Sequence, residues 1–175
     1  MTNVVLETDR LQLRRLSIDD ADFLLSVFND PAFLRFVADR QIRSVDQARA
    51  FIENGPLESY RRFGFGHYLS ALKPDGTPIG ICGFVKRDAL EDVDIGFSLL
   101  PEFRAREYAV EAASAVMGYG IDTLGFRRIV AIASPDNASS IRLLGKLRMT
   151  FERMVKPKDD SEDLSLFAWN QDRQT

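Results

Sequence analysis

The sequence predicts a mixed α/β domain. Three observations carry that reading. Strand-like and helix-like hydrophobic periods alternate along the chain, two central strands are joined by a Pro-Asp-Gly turn, and a fully apolar strand lies between two helical segments. At 175 residues the chain is expected to form one domain, residues 1–175, with a core that needs neither disulfide nor metal.

The first strand is RLQLRRL, residues 10–16, where Leu11 and Leu13 share one face. Ser17 caps a helix through SIDDADFLLSVFND, with Asp19 and Asp20 at its positive end and Leu24, Leu25 and Phe28 at helical spacing. Asn29 to Pro31 breaks that run, PAFLRFV forms a second short helix, and Ser44 starts a third in SVDQARAFIENG that Gly55 ends. FGFGHYLSAL and IGICGFVKR are strands around the turn residues Pro74, Asp75 and Gly76, and DVDIGFSLL is a third strand that stops at Pro101. Residues 104–122 read as the central helix, with Tyr108, Ala112, Ala115, Val116 and Tyr119 near one stripe. RRIVAIAS is a buried strand, SPDNASSIRLLGKL a helix entered through Asp136 or Asn137, and MTFERMV and DLSLFAW are closing strands around the polar loop KPKDDSED.

Composition narrows the function classes. A net charge of -3 with scattered basic residues argues against general nucleic-acid binding, which needs many unneutralised Lys and Arg. Cys82 is the only cysteine, so no intrachain disulfide forms and the cytoplasm is the expected compartment. No apolar run approaches the ~18 residues of a membrane span, and the N-terminus lacks the pattern of a signal peptide. One His and one Cys exclude most transition-metal sites, leaving an organic cofactor or acid–base chemistry.

Three constellations carry chemistry. Arg104 and Arg106 lie where a strand gives way to a helix, so backbone N–H groups and guanidinium charge converge on an anion; exposed arginines at a helix start are also simply solvated, and Glu107 suits that second reading. Asn137 and Ser140 open the helix after the buried strand, either as plain caps or with the Ser140 hydroxyl aimed into a cleft. Asp92 and Asp94 alternate on one strand, as a proton acceptor beside a cleft or as a solvated edge. A Cys82–His67 nucleophile pair is conceivable, and a buried structural thiol is the simpler reading.

Taken together, ETDRLQLRRLSIDDA, PIGICGFV, DVDIGFSLLPEFRAREYAVEAA and NASSIRLLGKLRMTFER resemble, in order and spacing, the GCN5-related N-acetyltransferase (GNAT) superfamily and its ribosomal-protein N-terminal acetyltransferase subgroup. The resemblance implies a mixed, mostly antiparallel sheet of about seven strands, helices on both faces, and a splayed strand pair holding acetyl-coenzyme A. It places the pyrophosphate loop on Arg104, Ala105, Arg106, Glu107, Tyr108 and Ala109, and the thioester against the backbone of Phe97, Ser98 and Leu99. Asn137 matches the family's cofactor-contacting asparagine, Ser140 the proposed acid for the departing thiolate, and Lys146 a contact at the phosphate end; Asp94 is the candidate base.

Three departures stand out: Glu107 and Arg148 replace glycines of the family pattern, and Leu144 stands where a tyrosine acid is frequent. The implied reaction is acetyl transfer to a primary amine, on a protein N-terminus or a small molecule, by a monomer or homodimer. The alternative is a non-catalytic acyl-CoA-binding module whose pyrophosphate loop has drifted.

Overall fold

A computed structural model describes residues 3–157 and 162–174; part of the KPKDDSED loop lies outside them. The strands are β1 (Val4–Glu7), β2 (Leu11–Arg15), β3 (His67–Leu72), β4 (Pro78–Val85), β5 (Asp94–Leu99), β6 (Arg128–Ala133), β7 (Thr150–Val155) and β8 (Leu164–Asn170). The helices are α1 (Ala21–Phe28), α2 (Pro31–Phe36), α3 (Val45–Ile52), α4 (Glu58–Phe63), α5 (Tyr108–Asp122) and α6 (Ala138–Lys146). One eight-stranded sheet runs β1-β2-β3-β4-β5-β6-β8-β7, antiparallel throughout except between β5 and β6. Among the described residues no helix is long and apolar enough to cross a membrane.

Helices cover both faces of the sheet. In an antiparallel pair, residues directly opposite share a face. The register Leu69↔Ile81↔Ser98 therefore puts Leu69 and Ile81 on one side, where they join Leu24, Phe28, Phe33, Ala48 and Ile52 of α1–α3 in one buried cluster. The register Tyr68↔Cys82↔Phe97 puts Tyr68 and Cys82 on the other, against Ala112, Ala113, Val116 and Met117 of α5.

Several expectations change here. The first strand gains a partner, β1, whose half-exposed VVLE gives no clear period. Ser17 does cap, through a reciprocal bond pattern with Asp20. Gly55 does not end the third helix. The chain widens to a π turn over Glu53–Leu57, which lets Pro56 pass without its ring striking the preceding turn, and coils on to Gly64 at φ 78°. The central helix starts at Tyr108 rather than 104, because Ala105 and Glu107 take left-handed backbone at φ 60° and 64°. Arg148 is left-handed as well, at φ 62°, where the family pattern has glycine.

Candidate active site

β5 and β6 touch at one bridge, Asp94↔Val130, and then part. The alternation of backbone groups along β5 follows from two bonds. Val130 N–H donates to Val93 O, and Leu100 N–H donates to Ile79 O, each at 2.9 Å. Residues 93, 95, 97 and 99 thus turn their N–H and C=O toward β6, and 94, 96, 98 and 100 toward β4. Past the bridge, Phe97 and Leu99 present backbone polar groups to an open gap. Ser98, expected beside them, gives its backbone to β4.

The gap opens into a cavity of about 450 Å³. It runs from α1–α2 (Val27, Phe33, Phe36), past Phe97, Ser98 and Leu99, to the start of α5 and one side of α6. Of the residues singled out in the sequence, Phe97, Ser98, Leu99, Arg104, Ala105, Glu107, Tyr108, Ala109, Asn137, Ser140 and Lys146 all line it.

The two helix starts differ in chemistry. The first N–H groups of any α-helix lack intrahelical acceptors. At α6, Asn137 supplies one: its Oδ1 accepts from Ser140 N–H at 3.3 Å. The same amide donates through Nδ2 to Ser140 Oγ at 2.9 Å. With its oxygen accepting from Asn137, the Ser140 hydroxyl keeps its own proton for donation to a partner in the cavity. At α5, Glu107 is in the capping position but makes no side-chain cap bond.

The Glu107 carboxylate instead meets Lys146 Nζ at 3.2 Å, so its charge is answered by α6 rather than by Arg104 or Arg106. Arg104 is engaged elsewhere. Its guanidinium pairs with the buried carboxylate of Asp30, and its Nε donates to Leu99 O at 3.1 Å. Asp30 also accepts from Phe33 N–H at the start of α2, so this pair ties α1–α2 to the loop beneath the cavity. Arg106 is exposed, and its carbonyl accepts from Arg10.

Sequence reasoning missed Ser139 and Arg142, which line the cavity with Lys146. The i, i+3, i+7 spacing of 139, 142 and 146 on one helix was the available signal.

Asp94 does not fit the expected base. It is only 2% exposed, its carboxylate accepts from Arg87 Nε at 2.5 Å, and it sits at the vertex of the splay, outside the cavity lining. Burial pushes its pKa up to about 6, against the pull of Arg87. Asp92 lies before the strand and pairs with Arg128 at 2.8 Å, so the two aspartates do not act together. Cys82 faces α5 and His67 the opposite side, which removes the thiol–imidazole pair; burial pushes the Cys82 thiol up to about 12.

Comparison with known proteins agrees with this geometry. A family model described as an acetyltransferase (GNAT) domain matches residues 10–150. An uncharacterised N-acetyltransferase of Bacillus licheniformis, p20, is 30% identical over 153 residues, covering 86% of this chain and 85% of its own. Among solved structures, RimL, a ribosomal L7/L12 alpha-N-protein acetyltransferase in complex with coenzyme A, gives a TM-score of 0.80 at 18% identity, covering 97% of this chain and 98% of its own. The microcin C7 self-immunity acetyltransferase MccE, in complex with acetyl-CoA and AMP, gives 0.78 at 17%, covering 93% of each chain. At those identities the structural likeness speaks to the fold.

Proposed function

This chain belongs to the GNAT acetyltransferase family, and on that premise we propose that it moves an acetyl group from acetyl-coenzyme A to a primary amine by direct attack on the thioester. It is an acyltransferase that uses an acyl-CoA donor. The observation that carries the finer reading is the parting of β5 from β6 after one bridge, which leaves a free strand edge beside an uncapped helix start.

These features fit the donor. Its amide-bearing arm suits the backbone groups of Phe97 and the N–H of Leu99, and its diphosphate suits the N–H groups of Ala105 to Ala109, with Arg142 and Lys146 on the cavity wall and Arg106, outside the lining, in the same loop. When bound, the donor supplies an acyl group already activated as a thioester. The chain's own work is to orient, polarise and move protons. Backbone N–H groups on the free edge of β5 polarise the carbonyl, and the cavity turns a two-body encounter into a local one. Ser140, held by Asn137, donates its proton to the leaving sulfur and takes back the proton that the amine sheds as the amide forms, directly or through water, so the hydroxyl is restored. Asp94 is read as the residue that positions Arg87.

The acceptor must attack as the neutral amine. A peptide α-amine, with a reference pKa of about 8, meets that need more readily than a lysine side chain at about 10.4. RimL and MccE, as their structures are described, act on a ribosomal protein N-terminus and in microcin self-immunity, so both protein and small-molecule amines are candidates.

Calorimetry with acetyl-coenzyme A, followed by mass-spectrometric detection of acetylated amines, tests the proposal. Micromolar binding with transfer is expected. Binding by Glu107→Gly but not by wild type would instead favour a non-catalytic module.

A further inference from the structure

A cluster of charged side chains on the α1–α3 face of the sheet plays no part in the donor site. Opposite residues His67, Gly83 and Gly96 form one row across β3, β4 and β5 on that face. The two glycines let neighbouring groups lie close over the sheet: a Cβ built on Gly96 would stand 3.2 Å from His67 Nε2, and one on Gly83 would strike the Gly66 carbonyl, so the imidazole lies over this row. Gly96 immediately precedes Phe97, whose backbone faces the gap. The row therefore adjoins the position proposed for the thioester.

Two arginines share this face: Arg40 through the rings of the α1–α3 cluster, and Arg87 through Asp94, which alternates with Gly96 on β5. Arg87, one-third exposed, is held by Asp94. Arg40 lies among three rings, its guanidinium carbon 5.3 Å from the centroid of Phe28, 5.9 Å from Phe33 and 5.2 Å from Phe51. Its Nε is buried with no hydrogen-bond partner among the described residues. The adjacent carboxylate, Asp39, is spent on Arg43 through two bonds of 2.8 and 2.7 Å.

The charge count is uneven. Two guanidiniums share one carboxylate beside a neutral imidazole, and a buried guanidinium nitrogen without an acceptor is a costly arrangement that aromatic contact offsets only in part. Burial and the facing Arg87 lower the pKa of Arg40, while burial, Arg40 and Arg87 push His67 down to about 3. The missing component is an anion.

We propose that the acceptor amine carries an anionic group, a carboxylate or a phosphate, that docks between Arg40 and Arg87 beside His67. This rests on the acetyl-transfer reading, and it names the acceptor's class. The anion completes the charge count, and its position next to Phe97 brings an amine a few bonds away to the end of the donor cavity.

Two measurements test it. In the first, coenzyme A is kept saturating so that its own diphosphate site is filled, and inorganic phosphate or acetate is titrated while thermal stability is followed. Wild type is expected to gain stability with at least one of them, and Arg40→Met is expected to gain none. Methionine fits the aromatic surroundings, so that variant keeps its fold. A second variant, Arg87→Gln with Asp94→Asn, removes both halves of the other pair without stranding a buried carboxylate and should behave like Arg40→Met. Equal gains in wild type and variants, or no gain in wild type, would overturn the proposal.

In the second, acetylation is compared for O-phosphoethanolamine against ethanolamine and β-alanine against β-alaninamide. The charged member of at least one pair should show at least about tenfold higher kcat/KM, equivalent to ~1.4 kcal/mol, and the favoured pair identifies phosphate or carboxylate. Arg40→Met should collapse that ratio. Acetylation without preference would sink the anion site and leave the transferase reading intact. Arg40-dependent anion binding without transfer to any amine would do the reverse.

Discussion

The two helices that border the cavity begin in opposite ways. α6 closes its own start, with Asn137 serving both the Ser140 N–H and the Ser140 hydroxyl. α5 leaves its start open, because the residue in the capping position, Glu107, turns its side chain to Lys146. The closed end holds one hydroxyl in a fixed orientation, as proton delivery requires. The open end keeps several N–H groups and the positive pole of a 15-residue helix for a ligand of higher charge. Self-satisfaction and ligand binding are alternatives, and the cavity uses one of each.

The sharpest way to break this contrast is to seal the open end. Ala109→Asp puts a carboxylate in the first turn of α5, where it stabilises the empty helix by ~0.3–1 kcal/mol and raises Tm by about 1–3 °C. The same charge opposes the diphosphate, with ~4 kcal/mol as the unscreened upper figure at close range. Coenzyme A affinity should fall by about a hundredfold to a few hundredfold, below the ceiling that figure sets. Calorimetry and thermal melting are expected to move in opposite directions; a variant that binds as well as wild type would show that the open start is not the diphosphate site.

The second break is at the closed end. Ser140→Ala removes the oriented proton and should lower kcat about a hundredfold, with KM for acetyl-coenzyme A within about threefold of wild type. Asn137→Ala tests the clamp itself. It should cost ~1 kcal/mol of stability through the lost cap, and should also lower kcat because the hydroxyl is freed to rotate. Steady-state kinetics with a stability measurement on each variant separates the two effects.

The contrast was half visible in the amino-acid sequence. Asn137 and Ser140 were readable because cap chemistry is local: Asn followed three residues later by Ser before an apolar helix states its own geometry. The start of α5 was not. Its apolar spacing extends smoothly back through Ala105, and neither Ala nor Glu announces a left-handed turn, so the helix was expected to begin at Arg104. Arg104 misled for a related reason. Its partner, Asp30, is 74 residues away, and no local pattern reports a contact of that range. The same holds for Arg40, Arg87 and His67, which three separate segments bring to one face. The sheet itself was legible from period-two alternation. Its first strand was lost because four half-exposed residues carry too little of that signal, and α4 because Gly55-Pro56 has the chemistry of a stop.

The smallest effect, and the most direct probe of why the open start tolerates a carboxylate, is Glu107→Gly. Three contributions compete. Glycine relieves the left-handed backbone at φ 64°, worth ~1 kcal/mol. Loss of a carboxylate near the helix start removes ~0.3–1 kcal/mol of dipole stabilisation, so the stability of the free protein should change little. The exposed ion pair with Lys146 adds nothing decisive in either direction, since both side chains are more than half exposed. For the ligand the terms align: one negative charge leaves the mouth of the cavity, and Lys146 is released to face the diphosphate. Coenzyme A affinity should therefore rise by about three- to tenfold at low salt, and the gain should shrink as added salt screens the mouth. An unchanged affinity at every salt concentration would mean that Lys146 already cancels Glu107 in full, and the departure from the family's glycine would then cost the donor site nothing.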